Sequence, residues 1–265
     1  MASNLAILKR AAELLDADIP VAIATIIATK GSVPRYEGTK MLIPATGAPV
    51  GTIGGGIIEK TVIDLGREAL SSHKILVKSF ETAEHTPTPD DIICGGTMTV
   101  VIEPEYPRDT LVICGAGHVG LALYNLFQTL NFDMVVIDDR PEYAFTERFP
   151  AAKKVICSPF EKAMAELHYG ARSYVVICTR RHLSDQVCLE PILRSNAVYI
   201  GLLGSRTKWA QLRKNLSGNG FSAEDIARVH CPVGLKIGAV TPEEIAVSIA
   251  AEIIKHRTRV SSLTG

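Results

Sequence analysis

The 265-residue sequence carries no net charge, because its 28 Lys and Arg are matched by 28 Asp and Glu. A neutral chain has no broad field to hold a nucleic-acid backbone or an anionic membrane surface, so neither is expected as a partner. No run approaches the roughly 18 consecutive apolar residues that read as a spanning helix. The N-terminal stretch "MASNLAILKRAAELLDADIP" lacks the basic start and apolar run of a signal peptide. A cytoplasmic location is therefore expected. The six cysteines (94, 114, 157, 178, 188 and 231) form no CxxC and no paired Cys/His spacing, which excludes the common structural zinc patterns. There are no internal repeats and no low-complexity tract. Beyond residue 107 there is no Tyr-x-x-x-Lys pair, a proton relay that hydride-transferring enzymes use, so binding is easier to argue than turnover there.

Apolar residues make up 47% of the chain, enough to bury a core in one large or two modest domains. The N-terminal stretch is amphipathic, with Leu5, Leu8, Ala12 and Leu15 at helical spacing. Residues 20–29, 40–44, 74–80 and 97–104 read as strands. Residues 57–72 read as a helix, carrying Ile57, Ile58, Thr61, Ile63, Leu65 and Leu70. "EPEYPRD" (103–109) has two prolines and four charges before a new apolar strand. The boundary is placed there, giving domains 1–107 and 108–265. The second domain alternates strand and helix. Its strands at 110–114, 134–138, 154–157, 173–179 and 197–204 are nearly continuous apolar runs, as in a parallel sheet covered on both faces. The last helix starts with a capping box on Thr241 and Glu244, with Pro242 in its first turn and a stripe of Ile245, Ile249 and Ile253. The expected fold is α/β, with a Rossmann-like doubly wound C-terminal domain and a smaller N-terminal α/β domain.

"LVICGAGHVG" (111–120) carries GxGxxG on Gly115, Gly117 and Gly120, between a strand and a helix. Asp138 closes the next strand 18 residues after Gly120, near the place of a ribose-binding acid. Gly115 suits the tight turn, Gly117 the approach of a pyrophosphate, and Gly120 close helix–strand packing. The helix N-terminus offers N–H groups to the anion. His118 donates to a phosphate or a pterin, or else packs at the surface. Arg140 meets a second anionic group or is solvated. At a later strand end, "CTRRHLSD" (178–185) places His182 and Asp185 at i, i+3, where they can share a helix face. "GLLGSRTK" (201–208) repeats the layout with Gly204, Ser205 and Arg206, Ser205 serving also as an N-cap.

The first domain has its own candidates. Arg35 and Lys40 stand around a Gly-Ser-x-Pro turn. Gly54, Gly55 and Gly56 open a helix that carries Glu59; they suit an anion or a tightly packed turn. Glu59 itself reads as a solvated residue or a partner for the helix dipole. Cys94, followed by Gly95 and Gly96, is a thiol in a glycine loop, suited to a soft metal, to sulfur chemistry or to a structural role.

Taken together, "GSVPRYEGTKMLI", "GTIGGGIIE", "CGG" before "TMTVVIEP", "ICGAGHVG", "VVIDDRPEYAFTERFP", "YIGLLGSRTK" and "PVGLKIGAVTPEEIAVSIAAEI" resemble the xanthine dehydrogenase accessory family, XdhC/CoxI. The resemblance covers nearly the whole chain. It implies a protein that binds molybdenum cofactor (molybdopterin), helps it acquire its sulfido ligand, and delivers it to a molybdenum hydroxylase such as xanthine dehydrogenase. It further implies contact with a cysteine desulfurase and a cofactor chaperone rather than an enzyme. The alternative is an NAD(P)-dependent oxidoreductase, with NAD(P) or another nucleotide at the glycine turn. Two positions depart from the family pattern. Ile57 stands where a cysteine often follows the three glycines, leaving Cys94 as the candidate metal-binding thiol of the first domain. "TRRH" stands for "THxH", so Arg180 replaces one histidine and suits an anion while His182 remains. A first domain of about a hundred residues has limited core of its own, which points to a homodimer.

Overall fold

The computed structural model describes residues 3–82 and 95–263. The chain divides into two compact units, Met1–Pro107 and Arg108–Leu263.

In the first unit the order is α1 (Asn4–Asp16), β1 (Val21–Lys30), β2 (Lys40–Pro44), β3 (Val50–Gly51), α2 (Gly56–Ser72), β4 (Leu76–Thr82) and β5 (Gly96–Glu105). The strands form one sheet in the order β3-β2-β1-β5-β4, antiparallel at every pairing. Side chains alternate across it. Met41 and Ile43 of β2 join the core under α2, while Leu42 joins the core under α1. α2 lies close to the sheet because Gly66 faces Ile43; a Cβ there would stand 2.6 Å from Ile43 Cδ1. Sequence periodicity identifies both helices, and Ile58, Ile63, Leu65 and Leu70 of α2 pack against the core, but part of each apolar stripe stays exposed. α1 buries Ile7, Ala11 and Leu14, while Leu5 and Leu8 remain exposed. α2 buries Val62, Gly66 and Ala69, and Ile57 is 84% exposed. The apolar stripes are wider than the contact, and small residues at 11, 66 and 69 let the backbone approach.

The second unit largely alternates strand and helix: β6 (Asp109–Cys114), α3 (His118–Phe127), β7 (Phe132–Asp138), β8 (Lys154–Cys157), α4 (Phe160–Ala165), β9 (Ser173–Ile177), α5 (His182–Leu193), β10 (Tyr199–Leu202), α6 (Arg206–Gly218), α7 (Ala223–Ala227), β11 (Val229–His230) and α8 (Pro242–Leu263). The sheet order is β11-β10-β9-β6-β7-β8, all parallel. The chain runs outward from β6 to one edge, then returns to β9 and runs to the other. This is the doubly wound Rossmann order, and its switch point lies between β6 and β9. Leu111, Ile113, Met134 and Val136 face α3 and α8, whereas Val112, Cys114, Val135 and Ile137 face α4, α5 and α6. Two-sided burial explains the unbroken apolar runs. β3 and β11, two residues each, are too short to show a period and were not expected from the sequence.

α8 begins with the expected capping box. Thr241 N donates to Glu244 Oε2 (3.0 Å), and Glu244 N donates to Thr241 Oγ1 (3.3 Å). Ile249 and Ile253 are fully buried. Among the described residues no helix is long and apolar enough to cross a membrane. Glu252 ties α8 to the sheet edge. Its Oε2 accepts from Tyr199 Oη (2.6 Å) and Gly234 N (2.7 Å), and His230 Nδ1 lies 3.5 Å from Oε1. Burial alone would raise the Glu252 carboxyl, but the bonds from His230, Tyr199 and Gly234 outweigh it and hold it at about 2.

A carboxyl depressed from 4.5 to about 2 contributes stability that is fully present above 4.5 and is lost as pH falls toward 2. Glu252→Gln is therefore expected to destabilise the protein at neutral pH by about 1–3 kcal/mol. In denaturant titrations the gap from the parent should narrow as pH drops below the ordinary carboxylate range. A gap independent of pH would contradict the charged network.

Candidate functional site

The glycine turn follows β6 directly. Gly115 has φ +115°, and its N–H donates to the Ile137 carbonyl (2.8 Å). A Cβ on Gly115 would stand 2.5 Å from the Cys178 carbonyl oxygen, and one on Gly120 would stand 1.9 Å from the Gly115 carbonyl oxygen. Both glycines are thus required by close backbone approach. Gly117 differs: a Cβ there meets nothing within 4 Å. It caps α3 without any side-chain hydrogen bond, so the helix N-terminus faces open space, as an anion needs. His118 is exposed beside it, at the mouth of a groove of about 400 Å³ between α3 and α8 that Leu121, Asn125 and Val247 also line.

Asp138, the expected ribose acceptor, is 1% exposed and is engaged by its own chain. Its Oδ2 accepts from Ala116 N (2.8 Å) and Arg140 Nη2 (2.9 Å); its Oδ1 accepts from Arg140 N (3.1 Å) and Nε (2.8 Å). Four donors fill the roughly four lone-pair sites of a carboxylate. Burial works to raise this carboxyl, and the bonds from Arg140 and Ala116 overcome it, so it lies below the usual carboxylate range. Arg140 is held by this fork rather than left solvated, and its hydrogen bonds to Asp138 raise it further. The guanidinium also stacks 3.7 Å from the Tyr143 ring centroid. Arg180 reaches across the switch point from the end of β9, its Nη2 lying 3.5 Å from Asp139 Oδ2.

Farther along the same edge, Asp185 is fully buried. Its Oδ1 accepts from Thr179 Oγ1 (2.6 Å), and its Oδ2 pairs with Lys208 Nζ. Ser205 caps α6 by accepting from Lys208 N (3.1 Å). Gly204 lies just before it, Arg206 is the exposed first residue of α6, and His182 is the first residue of α5. Lys208 and Thr179 are missed by the sequence reading. A lysine in a helix carries no signal until the fold places it on a carboxylate from another helix.

In the first unit three sequence-distant segments meet. A Cβ on Gly54 would stand 2.5 Å from Pro34 Cγ, and one on Gly31 would stand 2.9 Å from the Gly95 carbonyl oxygen. One on Gly96 would stand 2.3 Å from the Ser32 carbonyl oxygen. The turn at 31–35 is therefore wedged between the triple glycine and Gly95–Gly96. Gly54, Gly55 and Gly56 have φ of +139°, +83° and +65°, which only glycine adopts cheaply. Glu59 is neither solvated nor free: its Oε2 accepts from Gly55 N (3.1 Å) and from Thr52 Oγ1. Lys40 Nζ donates to Thr25 Oγ1 (2.8 Å). Arg35 Nε is buried with no hydrogen-bond partner among the described residues. Cys94 lies outside the described residues.

Cys114 and Cys188 are buried, and Cys178 is partly buried, its Sγ donating to the Gly115 carbonyl (3.2 Å). Burial pushes the Cys178 thiol well up. Cys157 is exposed because β8 is an edge strand. Among the described residues no group of three or more His, Cys, Asp and Glu could hold a metal ion.

The glycine contacts predict opposite responses. Gly120→Ala drives a methyl into a backbone carbonyl and should cost about 2–4 kcal/mol. Gly117→Ala should cost no more than about 1 kcal/mol. Thermal melts of both variants check this, and equal losses would contradict the assignment of Gly117 to an open face.

Comparison with known proteins places this geometry. A model of the XdhC Rossmann domain matches residues 111–253, and a model of the XdhC and CoxI family matches residues 14–80. The chain is 36% identical over 250 residues to YqeB of Escherichia coli (strain K12), described as an uncharacterized protein; the match covers 94% of this chain and 46% of YqeB. It is 36% identical over 165 residues to a probable xanthine dehydrogenase subunit from Bacillus subtilis (strain 168), covering 62% of this chain and 48% of that protein. The chain spans about half the length of these curated relatives. A crystal structure of a xanthine dehydrogenase from Bacillus halodurans aligns with a TM-score of 0.52 at 23% identity, over 93% of this chain and 95% of that one, which supports the fold. The Rossmann-domain match alone takes in more than half of the residues, and the chain belongs to the XdhC family.

Proposed function

We propose that this chain serves the maturation of a molybdenum hydroxylase such as xanthine dehydrogenase. It binds molybdenum cofactor as cargo, supports its sulfuration and delivers it to the client enzyme. The reading places the protein in the cytoplasm as a homodimer, with a cysteine desulfurase as sulfur donor. Family membership supports it, and so does the name of the Bacillus subtilis relative.

The observation that carries it against a dehydrogenase is the state of Asp138. NAD uses that acid to accept from its ribose hydroxyls, and here its oxygens already hold Ala116 N and Arg140, which weighs against NAD at the turn. The turn keeps its open helix N-terminus at Gly117, which suits a phosphate without requiring a ribose. In this reading the backbone at 117–119 takes a phosphate, with His118 and Arg180 beside it; Cys94 is a separate candidate of the first unit, a thiol suited to a soft metal. When bound, the cargo carries a labile terminal sulfur that survives where water and oxidants are excluded. The chain's part is to hold and shield it.

The test is anaerobic equilibrium binding of molybdenum cofactor, with NAD and NADP run in parallel. Purified protein should retain the cofactor, Gly117→Val should weaken retention about tenfold or more, and Cys94→Ala should abolish transfer to an apo-hydroxylase. Nicotinamide binding without pterin binding would instead support an oxidoreductase at the glycine turn.

A further inference from the structure

We propose that α5 and α6, which follow the ends of β9 and β10, form a second anion-binding subsite, apart from the glycine turn, in which the Lys208 ammonium takes a phosphate group of a ligand. Asp185 and Thr179 act there as positioning residues.

The argument starts from a costly pair. Asp185 is fully buried, and the Lys208 side chain is only 15% exposed. Burying an ion pair gains little stability over an apolar pair of the same volume, so a pair retained here is a candidate for a role beyond packing. The pair is also braced. Thr179 Oγ1 donates to the other carboxylate oxygen of Asp185 (2.6 Å), and Lys208 Nζ reaches the Leu203 carbonyl (3.5 Å). An ammonium has three donors. Asp185 and Leu203 account for two, leaving a third for a ligand. Gly204 permits the arrangement, since a Cβ there would stand 2.9 Å from Lys208 Cδ.

Beside the pair opens a cavity of about 530 Å³ between α5 and α6, a size typical of small-molecule sites. Lys208, Ser205, Thr207, Gln186, Gln211 and Asn215 contribute its polar groups, and Leu183, 79% exposed, stands on its wall. No carboxylate is among the described residues that line it. The one ionised side chain on its wall is a cation, with its counter-charge, Asp185, buried behind it, so the surface offered to a ligand is a donor and favours an anion. Two hydroxyls and an ammonium within four residues match the several oxygens of a phosphate better than the two of a carboxylate. The location fits too, because ligands of open α/β sheets bind outside the carboxyl ends of the strands. Cys231 provides a reporter. Its Sγ lies 4.0 Å from the Gly204 carbonyl oxygen, next to Lys208.

The experiment uses the full chain carrying Gly117→Val, so that the glycine turn does not contribute, and inorganic pyrophosphate as the probe. Calorimetric titration should show binding. Lys208→Met alone would strand a buried carboxylate, so the comparison is the double variant Asp185→Asn/Lys208→Met, which removes both charges together. Its affinity should fall about tenfold or more while its melting profile stays cooperative. In a second readout, pyrophosphate should slow maleimide alkylation of Cys231, resolved by mass spectrometry, in the Gly117→Val chain and not in the double variant. Absence of pyrophosphate binding, unchanged affinity in the double variant, or no protection of Cys231 would each overturn the proposal. Failure to bind molybdenum cofactor would leave these outcomes untouched, because the probe contains no pterin.

Discussion

The Asp138 carboxylate is the constraint on which the second unit's ligand-binding edge depends. It sits at the end of β7 with almost no solvent, where an unpaired charge would be prohibitive. Its chain answers with a fork from Arg140 and with the N–H of Ala116 in the glycine turn. That one group therefore fixes the turn after β6, the start of the loop after β7 and the side chain of Arg140. Arg140 in turn lies on Tyr143 and within 3.9 Å of Asp139, while Asp139 meets Arg180 from β9. The crevice at the switch point is bordered by charges already paired with one another. What remains for a ligand is the open N-terminus of α3 at Gly117 and the exposed His118 beside it.

The first unit reaches a similar outcome by different means. Its three motif segments meet because glycine sits at each close contact: Gly54 against Pro34, and Gly31 against Gly95. Glu59 then neutralises the N-terminus of α2 through Gly55 N. The triple glycine thus spends part of its anion-binding capacity on a carboxylate from its own helix. Ile57, largely exposed in the first turn, presents an apolar surface there instead of a thiol.

The periodic features were readable in the sequence because they express burial on a repeating lattice. Unbroken apolar runs announced the two-sided parallel sheet, and the Thr241–Glu244 spacing announced the cap of α8. The glycine fingerprint announced the β6–α3 turn, since Gly115 and Gly120 answer to local sterics. Features set by tertiary partners were not readable. The buried face of α1 depends on where β2 lies, and the two-residue β11 exists only because β10 offers it an edge. Asp138 shows the limit most clearly. Its position matched a ribose acceptor, yet the arginine two residues later decides its chemistry, and spacing alone does not say which way that side chain turns.

The two acids at this sheet edge allow a sharper comparison. Asp138 and Asp185 are both buried and both paired with a cation, but the cations differ in kind. Arg140 meets Asp138 with a planar fork that uses its donors in fixed directions, and its remaining face is covered by Tyr143. That pair is closed. Lys208 is a point charge with rotatable donors, and it borders a cavity rather than a ring. The same electrostatic requirement, a counterion for a buried carboxylate, is thus met once in a way that completes the framework and once in a way that leaves a cationic donor facing open space. A ligand lying along the strand ends from β6 to β10 would find neutral backbone at one end and a positive charge at the other.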